Sequence, residues 1–164
     1  MFRPVISKTI LTVFVLLAAA VCFLTRPADA DMRLFKGQTV YVPVYSHIYS
    51  GDREQPFYLA ATLSIRNTDT RHEISLTAVD YYDSEGTFLK HYLDTVVSLK
   101  AMATKRYVVP ESDKSGGSGA KFIIRWQSDQ PVAEPLIESV MISTKTQQGI
   151  SFTSRGRVLE AISP

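Results

Sequence analysis

The sequence predicts an all-β fold, an antiparallel β-sandwich preceded by an N-terminal signal helix. Apolar and polar residues alternate with a period of two along several segments beyond residue 31, as they do on strands that bury one face. No segment there keeps the period of 3.6 that an amphipathic helix needs. Turn-forming residues separate the segments at spacings of about 8–12 residues, which is typical of a sandwich or a barrel.

The first thirty residues have the three parts of a signal peptide. Arg3 and Lys8 precede an apolar run, Ile10–Leu24, and Ala28-Asp29-Ala30 supplies the small residues that a signal peptidase reads. The run is shorter than the roughly twenty apolar residues of a membrane-spanning helix. We therefore expect residues 1–30 to be cleaved and the protein to be exported, to the periplasm or the extracellular space. Membrane anchoring by residues 10–24 is the less favoured alternative.

The remaining residues, 31–164, are expected to form a single β-sandwich domain. The one cysteine, Cys22, belongs to the signal segment, so no disulfide is available to this domain. Removal of residues 1–30 leaves 15 basic and 15 acidic side chains. A formally neutral domain gives no electrostatic reason to bind nucleic acid or an anionic membrane.

The strands follow one another closely along the domain. Thr39–Tyr45 is rich in Val and Tyr, and Pro43, which has no N–H to donate, predicts an edge strand. Ser46–Pro56 is predicted to be a polar loop. The clearest strand is Phe57–Arg66, with its alternate apolar residues on one face. The other predicted strands are Ile74–Tyr82, Thr87–Leu93, Thr95–Leu99, Thr104–Val109, Lys121–Gln127, Leu136–Thr144, Ile150–Ser154 and Arg157–Ala161.

Two resemblances to known families support this fold. Leu63–Glu111 contains an Asn67 turn, the segment Asp80-Tyr81-Tyr82-Asp83 followed by Gly86, and a later Tyr107-Val108-Val109 strand. It resembles the immunoglobulin-like envelope domains of the FxLYD and late-embryogenesis type, which implies an immunoglobulin-like sandwich.

From Gly37 to Ile162 the chain also resembles a bacterial secreted group, domain-of-unknown-function family 3124. The matching segments are Ala61–Asn67, Asp80–Gly86, Gly116–Phe122, Glu138–Met141 and Gly149–Gly156. This resemblance implies a single exported β-domain and transfers no catalytic residue.

No motif predicts a cofactor, a metal ion or a catalytic residue. Gly116-Gly117-Ser118-Gly119 precedes a strand, whereas a phosphate-binding glycine loop opens a helix, so a hairpin loop is the better interpretation. No serine lies in a Gly-x-Ser-x-Gly motif. The three histidines and one acidic cluster lack the spacings of metal sites; they are His47, His72, His91, and the group Asp80, Asp83 and Glu85.

One acidic residue is predicted to lie on a buried face. Glu138 has the strand parity of the apolar residues Leu136, Val140 and Ile142, and a buried carboxylate needs a partner. We expect a structural ion pair, in preference to a binding role, and the nearby candidates for the partner are Arg125, Arg155 and Arg157.

The contact surface, if the protein binds a partner, is predicted from aromatic residues and loops. Tyr41, Tyr45 and Tyr49 would form an aromatic platform for a sugar or a peptide, although aromatic residues are also ordinary strand residues. The Ser46–Pro56 loop, the Pro43 edge strand and the Ser112–Gly119 loop, which contains Gly117, are the other candidates.

The predicted function is that of a non-catalytic binding or structural module of the cell envelope. Its partner would be an envelope protein or a glycan, and the only membrane contact would be through an uncleaved signal segment. Two alternatives stay open: a hydrolase-type envelope enzyme whose site assembles in space, and a small-ligand carrier with an apolar cavity.

Overall fold

The computed structural model describes residues 33–143 and 149–164, and the predicted signal segment, residues 1–30, lies outside them. Within these ranges, no helix has the length and apolar character needed to cross a bilayer. A short 3₁₀ turn, Gly51–Arg53, accompanies twelve strands. The strands are β1 Leu34–Pro43, β2 His47–Ser50, β3 Gln55–Tyr58, β4 Ala60–Arg66, β5 Ile74–Tyr82, β6 Phe88–His91, β7 Val97–Leu99, β8 Thr104–Val109, β9 Lys121–Ala133, β10 Leu136–Ser143, β11 Ile150–Arg155 and β12 Arg157–Ile162.

The strands form two principal antiparallel sheets around one hydrophobic core. The six-stranded sheet has the order β12-β1-β9-β5-β6, with β7 also paired to β5, and the four-stranded sheet has the order β11-β10-β4-β8. Strands β2 and β3 form a separate hairpin. The all-β, antiparallel prediction is confirmed, and the arrangement is consistent with a β-sandwich.

The period-two alternation correctly predicts the buried face of the two central strands. Phe122, Ile124 and Trp126 of β9 are buried, and so are the alternate residues of the segment that contains β4. That second set is Leu59, Ala61, Leu63 and Ile65. Burial of a large apolar side chain stabilises a fold by about 1.5–3 kcal/mol, so these two rows carry a large share of the stability.

Strand β5 departs from simple alternation because it contains a bulge. Its register with β9 shifts between Leu76 and Ala78, where one extra residue is inserted. Leu76 before the shift and Val79 after it are both buried, although they differ in parity. The bulge therefore turns Ala78 and Asp80 to the outer face of the sheet, where Asp80 has the polar partners that a carboxylate needs.

Two sequence-based expectations near the start of the domain are wrong. Strand β1 is not an edge strand, since it pairs with β9 on one side and β12 on the other. Pro43 is tolerated because the pairing with β12 ends at Tyr41, so that no ladder hydrogen bond is required of it on that side. The segment predicted as the Ser46–Pro56 loop contains strand β2 and the start of β3.

The turn after β4 is held by a buried asparagine. Asn67 is 2% exposed, and its Nδ2 group donates hydrogen bonds to the carbonyl oxygens of His72, Leu99 and Lys100 at 2.8–3.1 Å. Its Oδ1 accepts from the N–H of Asp69 at 3.0 Å. One side chain thus joins the β4–β5 turn to the end of β7. It holds in place both this turn and the turn that follows β7.

Replacement of Asn67 by Ala should lower the free energy of unfolding by about 2–4 kcal/mol, because several buried backbone groups lose their partner at once. Chemical denaturation followed by circular dichroism measures this change. The exposed Thr70→Ala substitution in the same turn is the control and should cost less than about 0.5 kcal/mol. A loss for Asn67→Ala as small as that of the control would show that water replaces the asparagine.

Asp69, in the same turn, makes the free energy of unfolding depend on pH under acidic conditions. The backbone N–H groups of Arg71 and His72 donate to the carboxylate of Asp69, and these hydrogen bonds lower the pKa of Asp69 from 3.8 to about 2. The unfolded chain therefore binds this proton more tightly than the folded chain does. The contribution to stability is fully present above pH 3.8 and is lost as the pH falls through 2.

The Asp69→Asn variant should lose less stability than the wild-type protein when the pH is lowered from about 5 to 2, since its side chain does not titrate. Unfolding midpoints at several pH values give, for each protein, the slope of stability against pH. Parallel slopes for the two proteins would contradict a role for Asp69 in the acid sensitivity. The variant Asp129→Asn, which removes an exposed carboxylate, is the matched control.

Candidate binding site

The β2–β3 hairpin presents aromatic side chains on one face. His47 lies directly opposite Tyr58, and Tyr49 lies directly opposite Pro56. Opposite residues of an antiparallel pair share a face, and so do residues two apart on one strand. These four residues therefore form one surface, here called the aromatic platform.

The other face of the hairpin fastens it to the domain. Ile48 and Phe57 are opposite each other and pack against the hydrophobic core. At the base, the N–H of Leu59 donates to the carbonyl oxygen of Ser46 at 3.0 Å. An isolated two-stranded hairpin is marginally stable in water, so these contacts are what hold the platform in place.

The rings of the platform meet edge to face. The centroid of the His47 ring is 5.2 Å from that of Tyr49 and 5.9 Å from that of Tyr58, with interplanar angles of 81° and 67°. Tyr49 is 53% exposed. The arrangement provides rigid aromatic area beside hydroxyl groups, which suits contact with a partner at a low cost in side-chain entropy.

The Ser112–Gly119 loop, which contains three glycines, lies against this hairpin. The Nζ atom of Lys114 is 4.3 Å from the centroid of the Tyr58 ring, a cation–π distance. The carbonyl oxygen of Gly117 accepts from the N–H of Ser46 at 3.0 Å, and that of Gly116 accepts from the N–H of Ser84 at 2.9 Å. Two of the surfaces predicted from the sequence, the Ser46–Pro56 segment and the Ser112–Gly119 loop, are therefore neighbours.

Glycine is required in this loop for two different reasons. Gly117 has a φ angle of 77°, in the left-handed region that side chains disfavour. At Gly116 a Cβ atom would collide with the hydroxyl oxygen of Tyr81 and would lie 2.7 Å from the Cβ of Ala120. The loop can approach the domain so closely only because both positions lack side chains.

A cluster of tyrosines, of which Tyr81 is buried, contacts the start of the hairpin. The hydroxyl of Tyr81 is 3.1 Å from the Oγ of Ser46, the residue that precedes β2. The rings of Tyr81, Tyr92 and Phe122 contact one another, and Tyr107 contacts Tyr92. Burial raises the pKa of Tyr81. Burial also raises the pKa of Tyr92 to about 12, and the nearby Tyr81 and Asp113 contribute to that increase. The burial that raises these pKa values comes from the packing of the rings against the core.

The three tyrosines expected to form a platform do not lie on one surface. Tyr41 lies on the outer face of the six-stranded sheet, opposite Ile123 of β9. Tyr45 contacts Phe152 of β11, with ring centroids 5.6 Å apart. Of the three, Tyr49 is the one on the aromatic platform. The three tyrosines do not share an element: Tyr41 is in β1, Tyr45 lies between β1 and β2, and Tyr49 is in β2.

Glu138 is placed differently from the expectation in two respects. The buried residues of β10 are Ile137, Ser139, Met141 and Ser143, so Glu138 faces outward, with 17% of its side chain exposed. Its partner is Arg66, with Nη2 and Oε1 3.5 Å apart.

Within the described residues, none of the three arginines predicted as partners forms an ion pair with Glu138. Arg155 is opposite Glu138 on β11, whereas Arg125 is on the six-stranded sheet and pairs with Asp80 at 3.3 Å. Arg157 is on β12, opposite Tyr41. The buried face of β10 was predicted wrongly because apolar residues lie on both faces of this strand. In addition, the polar residue Ser139 is on the buried face, where its hydroxyl donates to the carbonyl oxygen of Pro43 at 2.6 Å.

A second polar cluster lies on the outer face of the six-stranded sheet. The Nδ1 atom of His91 is 2.7 Å from one carboxylate oxygen of Asp80, and Arg125 approaches the other oxygen. Asp80 is nearly buried, whereas the side chain of His91 is 66% exposed. Sequence reasoning missed this cluster because its members are far apart along the chain; an aspartate in the middle of an apolar strand was the available signal.

The cluster has the orienting acid and the base of a hydrolytic site. Among the residues that the structure describes, no serine or threonine hydroxyl forms a hydrogen bond with His91, so a nucleophile is not in place. Arg125 also lines a shallow cleft of about 390 Å³ with Thr39, Thr77 and Glu160. In the described part of the chain, no three His, Cys, Asp or Glu side chains are grouped so that they could hold a metal ion.

The fold and its surfaces define a class, an antiparallel two-sheet β-domain with an aromatic hairpin at its surface. A family model described as "Protein of unknown function (DUF3124)" matches residues 37–159. The chain belongs to this family, as its sequence suggested. No curated protein matches the chain.

One solved structure is a distant likeness. It is described as "Crystal Structure of Thermotoga maritima 1070", is 10% identical, and covers 76% of this chain and 96% of its own, with a TM-score of 0.41.

Replacement of Glu138 by Gln should lower the free energy of unfolding by about 1 kcal/mol or less, because its partner Arg66 is half exposed and solvent screens the pair. Denaturation curves of the variant and of a Glu134→Gln control measure the difference. A loss above about 3 kcal/mol would instead indicate a carboxylate whose charge is needed in a buried pair.

Proposed function

We propose that this protein is an exported binding module of the cell envelope and that the aromatic platform is its principal contact surface. The observation that carries the proposal is the separation of the β2–β3 hairpin into two faces. One face, with Ile48 and Phe57, contributes to the core. The other displays His47, Tyr49, Pro56 and Tyr58 together, a composition that stability of the hairpin alone does not require.

The chemistry of the platform suits an envelope glycan or a protein loop. Tyrosine rings and a proline offer flat apolar area, and the hydroxyl groups and Lys114 offer hydrogen-bond donors at its border. Tyrosine is enriched at binding surfaces for this reason. The formally neutral domain supports neither nucleic acid nor an anionic membrane as the partner.

Export is proposed from the first thirty residues, with delivery to the periplasm or the extracellular space. Residues 31–164 would then be the mature single domain, with the immunoglobulin-like connectivity that its resemblance implies. A cysteine-free domain is compatible with an oxidising compartment because it has no thiol to mispair.

The two alternative classes have weaker support. A hydrolase could use Asp80 and His91, but it needs a nucleophile that the described residues do not bring to the histidine. A ligand carrier needs an empty interior, whereas the space between the sheets holds large buried side chains such as Trp126, Tyr81 and Phe122. The binding module therefore explains the arrangement best.

The Tyr49→Ala variant should bind an envelope fraction about tenfold more weakly than the wild-type chain, which corresponds to a loss of about 1.4 kcal/mol at an aromatic anchor. The full-length chain is expressed with its own N-terminus and recovered from the periplasm or medium, and N-terminal sequencing identifies the first residue, expected to be Asp31. Retention on immobilised envelope material is then titrated.

The Tyr41→Ala variant is the matched control, because Tyr41 lies on the outer face of the six-stranded sheet. Protease treatment of the envelope material should abolish retention of the wild-type chain if the partner is a protein, and periodate oxidation should do so if it is a glycan. Equal retention of wild type and Tyr49→Ala would exclude the platform as the contact surface, and recovery of an intact N-terminus inside the cell would exclude export.

A further inference from the structure

A row of charged residues crosses the outer face of the four-stranded sheet. Glu138 of β10 lies opposite Arg155 of β11 on one side and Ser64 of β4 on the other. Ser64 in turn lies opposite Arg106 of β8. Because opposite residues of antiparallel strands share a face, these four side chains form one line across all four strands.

The centre of this row is already neutralised, and its ends are not. Arg66 contacts Glu138, and its Nε donates to the Oγ of Ser64 at 3.1 Å, so this pair is held flat against the sheet. Arg106 and Arg155 are exposed, and the structure gives neither of them an ion pair with a described carboxylate. The row therefore presents two unpaired guanidinium groups, one at each edge of the sheet.

An apolar row lies beside the charged row. Val108, Thr62, Val140 and Thr153 are successive neighbours across the same face. Val108 is 54% exposed, and Ile142, beyond Val140 on β10, is 45% exposed. The charged row and this apolar row together form one surface, here called the arginine face.

We propose that the arginine face binds an acidic polypeptide segment in an extended conformation. Arg106 and Arg155 are three interstrand spacings apart, about 14 Å at about 4.8 Å each. An extended chain advances about 3.4 Å per residue, so two residues four positions apart lie about 14 Å apart and point to the same side. Two carboxylates with this spacing match the two free guanidinium groups.

Charge complementarity and the apolar row together favour a polypeptide. The domain as a whole is formally neutral, so the excess of positive charge on this face comes from the placement of particular arginines. An acidic glycan would satisfy these arginines but would place its hydroxyl groups over Val108 and Val140. In an extended peptide the residue midway between the two carboxylates points to the sheet as they do, and an aliphatic side chain there lies beside Thr62 and Val140.

The test uses fluorescently labelled nonapeptides and the protein recovered from cells that express the full-length chain. The first peptide carries Glu at positions 3 and 7 and Val or Thr at the others, and the second carries Gln at the same two positions. Fluorescence anisotropy at low salt should show that the Glu peptide binds about tenfold more tightly than the Gln peptide. A sulfated oligosaccharide serves as the competing probe.

The decisive variant is Arg106→Gln with Arg155→Gln, which should reduce the affinity for the Glu peptide by about tenfold. A matched control, Arg33→Gln with Lys100→Gln, removes the same charge from exposed positions elsewhere and should bind like the wild type. Tyr49→Ala should also bind normally, which separates this surface from the aromatic platform. Equal losses in both double variants, or oligosaccharide binding without peptide binding, would overturn the proposal.

Discussion

The structure depends on the burial of one face of β9. This strand is central to the six-stranded sheet because it pairs with β1 on one side and with β5 on the other. Its residues Phe122, Ile124 and Trp126 fill the space between the sheets, and the indole N–H of Trp126 reaches Gln38 of β1 at 3.3 Å. The chain has no cysteine beyond Cys22, so packing of this kind has to hold the domain together without a disulfide.

Most of the strands could be predicted from the sequence because a two-residue period is a direct consequence of burying one face. The predicted and observed positions agree well for β5, β8, β11 and β12, whereas the predicted strand Phe57–Arg66 is divided between the end of β3 and β4. The errors arise where a strand does not follow the simple period. The bulge in β5 is the clearest example, since continued alternation after Leu76 would have placed Asp80 in the core. Nothing local in the sequence marks this bulge; its benefit, outward partners for the carboxylate, comes from residues far along the chain.

The candidate site was predicted only in part, for a similar reason. The Ser46–Pro56 segment and Tyr49 were both named as contact candidates, but the residues that share a face with Tyr49, Pro56 and Tyr58, were not recognised. Which residues share a face depends on register, and register in a hairpin is set by the turn between its strands. For Glu138, apolar residues on both faces of β10 made the parity ambiguous, and only the sheet partners resolve it.

The two proposed contact surfaces, the aromatic platform and the arginine face, are positioned by different parts of the fold. The platform belongs to a hairpin fastened by a few side chains and by the Gly116–Gly117 loop, so its geometry depends on local contacts. The arginine face belongs to the body of a sheet, where the interstrand spacing fixes the distance between charges. A formally neutral domain can carry such a face only by placing its acidic residues elsewhere. Asp69 and Asp80 are examples, because backbone N–H groups, or His91 and Arg125, satisfy their carboxylates away from this face.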